Sequence, residues 1–371
     1  MPSFFSPIAP VSLAPVTPNP SRRHDAFFAS PSPLPPADRL LTIFELPAWM
    51  RDNDFLRGSY RPPQKSLRRI FYSAFFTLHN DTINIWTHGI GFLFFLALGI
   101  YLLGPATSAH RHVSRIAVAC TEKAVSTTAD IRTHLKALGL PNFCLRHSHS
   151  PNLVQDALSN LLNSHRFGLF PLVLTSLLCL AFSTLFHAFW IHSPKALRLL
   201  GQLDFLGITF LISGHALSAI FYAFYCKPTI ARWYYAFVII VEAAIVPAIF
   251  SPSFGKPAAR PFRTLLFCCL ASTTLLPLLH AIWLHTTAFY ELAVAAGSAA
   301  SALAMYAIGA VFYVARFPEC CRVGMHDRFF ASHQLMHVAV LFGVGFHLYG
   351  CWTLLEYRME FGCSASPLFH F

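Results

Sequence analysis

Seven stretches of this chain run for more than 20 residues with at most one charged side chain, and no other feature limits its fold as strongly. Residues 82–110, 167–194, 205–226, 264–290, 292–315 and 329–355 hold no Asp, Glu, Lys or Arg, and residues 233–255 hold only Glu242. A helix needs ~20 apolar residues to cross ~30 Å of hydrocarbon at ~1.5 Å per residue. Each stretch is long enough, so the pattern predicts an all-α polytopic membrane protein with seven transmembrane helices. Composition agrees. Only 12% of residues are charged, about half the ~25% of soluble domains. Ten Cys in 371 residues, several inside apolar runs, are too sparse for a secreted disulfide scaffold. Thirty-seven Phe exclude a disordered chain.

The charges that remain divide the chain and orient it. Residues 1–40, rich in Pro and Ser, read as a disordered arm. Residues 41–81 form a pre-membrane segment, 82–356 the seven-helix domain, and 357–371 a C-terminal tail. A polar connector over 104–166 separates the first two spans. With a cytoplasmic N-terminus, the short inner segments carry 14 Lys and Arg, including Arg51, Arg61, Lys195, Arg260 and Arg328, against three in the comparable outer ones, Lys227, Arg232 and Arg358. Short-loop Lys and Arg favour the cytoplasm. The formal net charge of +11 therefore reads as a topology signal rather than a nucleic-acid footprint, and the C-terminus is expected outside.

Polar residues inside the spans are costly and mark function by default. Ser183 and His187 lie near the end of the second span, Asp204 is expected to open the third, and His333 and His337 lie near the start of the seventh. Residues four apart share a helix face. Alternating span direction puts all of these sites toward one leaflet. Three neutral imidazoles and a water make a tetrahedral zinc site with one open position. Asp204 would then hold or accept a proton, and Ser183 would hydrogen-bond water or substrate. A bland reading stands beside this one. With 19 His, a pair four apart arises about once by chance. Intramembrane His also serve as hydrogen bonders between helices, and Asp204 could cap a helix. Spacing leaves both open. Glu242, His215, His280, His285 and His347 are expected to make polar contacts between helices or at the interface.

The same residues carry a family resemblance. Residues 45–49 (ELPAW), 58–62 (GSYRP) and 78–88 (LHNDTINIWTH) resemble the approach to the first span in the progestin and adipoQ receptor family, which includes adiponectin receptors and hemolysin III proteins. Ser183-Thr184-Leu185-Phe186-His187 is similar to its S-x-x-x-H motif, and Leu203-Asp204-Phe205-Leu206-Gly207-Ile208 to its L-D-Y-x-G-I stretch. Arg316-Phe317-Pro318-Glu319 and Ser332-His333-Gln334-Leu335-Met336-His337-Val338 resemble its R-x-P-E and S-H-Q-x-x-H-V motifs. The likeness covers residues 44–356 apart from the 104–166 connector. It implies a seven-helix bundle with a cytoplasmic N-terminus. It also implies a Zn²⁺ held by His187, His333 and His337, with Asp204 and Ser183 as catalytic residues. Members are described as receptors, several are associated with ceramidase-type amide hydrolysis, and fungal relatives with sterol and metal homeostasis. The function so implied is that of a zinc-binding receptor-like protein hydrolysing a lipid amide. The alternative is a non-enzymatic signalling receptor with structural zinc. The implied partner is a membrane lipid, ceramide or sterol-like, and the location is the plasma membrane or an endomembrane. Departures are Asp81 for the family's Glu, Phe205 for Tyr, the vicinal Cys320-Cys321, and the long connector.

Overall fold

The computed structural model describes residues 39–103, 165–284 and 289–363. All but the last two residues of the 1–40 arm and of the 104–166 connector lie outside this range, as do His285 and the tail after Cys363. Among the described residues there are nine α-helices and no strands.

Helix α1 (Leu67–Phe76) precedes the membrane. Its face with Ile70 and Ala74 is buried, while Arg68 and Arg69 are exposed. The segment before it is folded: Leu41 and Tyr60 exchange both backbone hydrogen bonds. Leu41, Ile43, Leu46, Met50, Tyr60 and Ile70 pack into a cluster that reaches Ile191, just past the second span. The pre-membrane residues therefore close one end of the bundle rather than trailing from it.

The seven spans are α2 (Thr82–Leu103), α3 (Phe170–Phe189), α4 (Pro194–Ala223), α5 (Pro228–Ile249), the pair α6 (Arg260–Ser272) and α7 (Leu275–Leu284), α8 (Phe289–Ala315) and α9 (Ser332–Phe361). All seven are long and apolar enough to cross a membrane. Trp233 and Trp283 stand at least three-quarters exposed on their outer faces, which suits lipid and not water. Helix α3 packs along both α2 and α4, and α8 lies against α9.

Two helices differ from what the charge-free runs suggest. The third begins at Pro194, so Asp204 does not open it but lies three turns in, ~15 Å along the axis. Ser193 caps the helix by accepting the Ala196 N–H, and Pro194 sits at a first-turn position where its missing N–H costs nothing. The uncharged run marks the hydrocarbon, whereas the helix extends past it through Lys195 and Arg198. The fifth span is broken between α6 and α7. Pro277 has no N–H for the carbonyl of Thr273, and the hydroxyls of Thr273 and Thr274 return to the carbonyls of Leu270 and Ala271.

At the opposite end from His333, a disulfide joins Cys226, after α4, to Cys363, after α9, across 137 residues of sequence. The sequence gives no sign of this pairing.

Candidate metal centre

Helix ends bring the candidate residues together. His187 lies in the last turn of α3, and His333 and His337 in the first two turns of α9. Their donor nitrogens all fall within 4.8 Å of one another. His187 Nε2 is 3.1 Å from His333 Nε2. Two nitrogens each ~2.05 Å from one tetrahedral ion would be separated by ~3.3 Å, so this pair is already at the spacing a shared ion requires. His187 and His337 are buried and His333 is partly exposed. The donor set is neutral-capable imidazole, the chemistry zinc prefers. A buried group that could bind a metal ion is therefore present.

The sequence-predicted neighbours converge too. Ser183 is buried one turn before His187. Asp204, half-buried on α4, interacts with both Ser183 and His187. Neither belongs to the three-histidine group.

Sequence reading missed several residues that complete the site. Asp81, one residue ahead of α2, places Oδ1 2.9 Å from His187 Nδ1. Trp190 Nε1–H donates to Asp81 Oδ2 at 2.9 Å, and Asn84 Nδ2–H donates to Oδ1 at 3.1 Å. Arg61, 2% exposed, donates to the carbonyls of His187 and Ala188. Burial would raise the Asp81 carboxyl, but the hydrogen bond and charge of His187, with the Arg61 guanidinium beside it, hold it well below the usual carboxylate range. Burial also brings Arg61 down to about 10 against the opposing pull of Asp81. His88 stacks on His337 with ring centroids 3.7 Å apart, and both of its nitrogens lack a hydrogen-bond partner. The available signal for Asp81 was its position: an acid directly before an uncharged span whose start shares an end with His187.

The R-x-P-E segment supports α9. Glu319, fully buried, accepts the Ser332 backbone N–H at 2.7 Å and the Ser332 hydroxyl, and takes Asn53 Nδ2–H at 3.1 Å. A carboxylate at a helix N-terminus is favoured by the helix dipole, and here it fixes the residue adjacent to His333. Cys320 and Cys321 are not bonded, their sulfurs being 3.6 Å apart.

Polar residues elsewhere make contacts between spans, as expected. Tyr306 OH lies 3.3 Å from His215 Nδ1, His347 Nε2 lies 3.0 Å from the His215 carbonyl, and Tyr234 OH lies 3.0 Å from His280 Nδ1. His215, Thr274, Tyr306 and His347 line an otherwise apolar cavity of about 80 Å³ between the third, fifth, sixth and seventh spans. Glu242 of the fourth span faces Ser213 of the third.

Fold and cluster together define a multi-pass integral membrane protein with a three-histidine group at one end of a seven-span bundle. The family model described as Haemolysin-III related matches residues 76–348, and the chain belongs to that family. It is 30% identical to heptahelical transmembrane protein 1 of Arabidopsis thaliana over 334 residues, covering 87% of this chain and 83% of that protein. It is 27% identical to the adiponectin receptor protein of Drosophila melanogaster, covering 87% of this chain and 61% of the relative. It is 28% identical to progestin and adipoQ receptor-like protein 1 of Caenorhabditis elegans, covering 88% and 63%. The resemblance read from the motifs therefore holds.

Proposed function

We propose that this receptor-family protein binds Zn²⁺ through His187, His333 and His337 and hydrolyses a lipid amide of the ceramide class. The observation that carries the reading is the convergence of three imidazoles with Asp204 and Ser183 at one end of the bundle. When bound, a zinc ion supplies a Lewis acid for a carbonyl and makes a coordinated water acidic enough to lose a proton near neutral pH. Asp204 takes and returns that proton at its carboxylate oxygens, and Ser183, buried against α4, orients the polar end of the substrate. Half-burial of Asp204 leaves one side accessible while the bundle excludes bulk water from the other. The site end faces the cytoplasm, as the 14-to-three distribution of short-segment cations favours.

Metal analysis of the purified wild type beside His187→Ala and His337→Ala tests the site. About one Zn per chain, absent from both variants, is the expected result. A ceramide panel then tests turnover, and Asp204→Asn is expected to lower it ~10²–10⁴-fold while retaining zinc. A second reading, a signalling receptor with structural zinc, is favoured by the name of the Drosophila relative, an adiponectin receptor protein. Signalling that survives Asp204→Asn with zinc in place, together with no turnover in the loaded wild type, would select it.

A further inference from the structure

Asp81 stands at the start of α2, where an acidic side chain ordinarily accepts the first free amides of its own helix. Among the described residues its oxygens go elsewhere. Oδ1 meets His187 Nδ1 at 2.9 Å and the Asn84 amide at 3.1 Å, and Oδ2 meets Trp190 Nε1 at 2.9 Å. Arg61 Nη2 lies 4.0 Å from Oδ2. We propose that Asp81 is a positioning residue of the metal centre, accepting the Nδ1–H of His187 and so aiming His187 Nε2 at the ion. The inference rests on the zinc reading above.

Three features support it. A ligating imidazole commonly donates its other N–H to a carboxylate, which fixes tautomer and ring plane and makes the ligating nitrogen more basic. His187 has this geometry: with Nδ1 committed to Asp81, only Nε2 is free, and Nε2 is the nitrogen that faces His333 at 3.1 Å. The carboxylate is itself held, because Trp190 lies three residues after His187 and donates from the same helix end. Arg61 then clamps that end by donating to the His187 and Ala188 carbonyls. The arrangement is also selective. Among the described residues no carboxylate lies within hydrogen-bond distance of His333 or His337; His337 Nδ1 lies 3.4 Å from Thr87 Oγ1, and His337 also interacts with the Asn84 backbone. One ligand of three is therefore set by charge, and the first span, which supplies no ligand, supplies its orientation.

The test uses full-length protein in detergent, stripped of metal and titrated with Zn²⁺ against a chelator of known affinity, with Co²⁺ absorption recorded in parallel. Asp81→Asn keeps the shape and removes the charge, and it is expected to weaken Zn²⁺ binding ~10–100-fold and to shift the Co²⁺ ligand-field bands. Asp81→Glu, which restores a carboxylate one methylene further out, should recover affinity to within about threefold of wild type. A purely structural tether between α2 and α3 would lower the melting temperature of the stripped protein and leave affinity and spectrum as they were. That outcome overturns the proposal. Trp190→Phe, which loosens the carboxylate without removing it, covers the case in which Asp81→Asn does not fold: unchanged Zn²⁺ affinity there also overturns it. Wild type that binds no Zn²⁺ defeats the zinc reading itself. Wild-type affinity in Asp81→Asn with none in His187→Ala leaves the zinc reading standing and removes only the role of Asp81.

Discussion

His79 shows how finely the residues around the centre are placed. It is fully buried, its Nδ1 accepts the Asp81 backbone N–H at 3.0 Å, and its backbone N–H donates to Thr82 Oγ1 at 2.8 Å. Burial, with Arg61 nearby, pushes its imidazole from 6.5 down to about 4. A folded value below the unfolded one means that the native state binds fewer protons between these limits. Stability is therefore full above about pH 6.5 and falls as the pH drops toward 4, by at most about 3 kcal/mol from this residue. Melting curves in detergent from pH 7 to 4 should show that decline. His79→Asn keeps an acceptor for the Asp81 amide but does not titrate, so it should flatten the curve; an unchanged slope would assign the acid sensitivity elsewhere. At this scale the sequence was legible where chemistry is expensive. His187, His333, His337, Ser183 and Asp204 are conspicuous because hydrocarbon penalises them. Asp81 and Arg61 are not, since an acid and a base just outside a span look like ordinary boundary charges. Only the fold shows both to be buried against His187.

Among the elements, the α3–α4 pair does most to set the site. A Cβ on Gly207 would sit 2.9 Å from the Cys179 backbone Cα, so this glycine lets the two helices touch one turn beyond Asp204. Small residues at membrane helix contacts serve this close approach, which gives a physical reason for the glycine in Leu203-Asp204-Phe205-Leu206-Gly207. Gly207→Ala is expected to destabilise by about 1–3 kcal/mol and, by levering Asp204 away from Ser183, to reduce turnover while metal content persists. Gly255→Ala, where no atom lies within 4 Å of the new carbon, is the matched control and should change neither. The α9 start offers a second measurement. Glu319→Gln keeps the shape but weakens charge-assisted bonds to Ser332 at a fully buried site, an expected loss of about 1–3 kcal/mol. Because His333 follows Ser332 directly, zinc affinity should fall with it. Span number and rough limits were readable from charge-free runs, because desolvation of charge is what defines a span. Helix starts and the break before Pro277 were not, because caps and carbonyl satisfaction are local events that hydropathy averages away.

At the scale of the whole molecule, two kinds of observation bear on orientation independently. Short-segment Lys and Arg concentrate at the end that holds the histidines. The Cys226–Cys363 disulfide closes the other end, and disulfides persist on the oxidising side of a membrane. The charge argument was available from sequence. The disulfide was not, since ten scattered Cys allow many pairings and only the fold brings positions 137 residues apart together. Free cysteines make the orientation measurable. Cys321, between α8 and α9, is exposed at the histidine end. With the protein in the plasma membrane of intact cells, an impermeant maleimide should leave Cys321 unlabelled until the cells are permeabilised. After mild external reduction, Cys226 and Cys363 should become labelled without permeabilisation. The mirrored pattern would reverse the bundle and place the histidine centre outside. Chain entropy assigns a closed loop of this size up to about 5 kcal/mol, so Cys363→Ser should also lower the melting temperature. That loss should leave zinc binding intact, because the disulfide fixes the far end of α9, ~45 Å of helix away from His333.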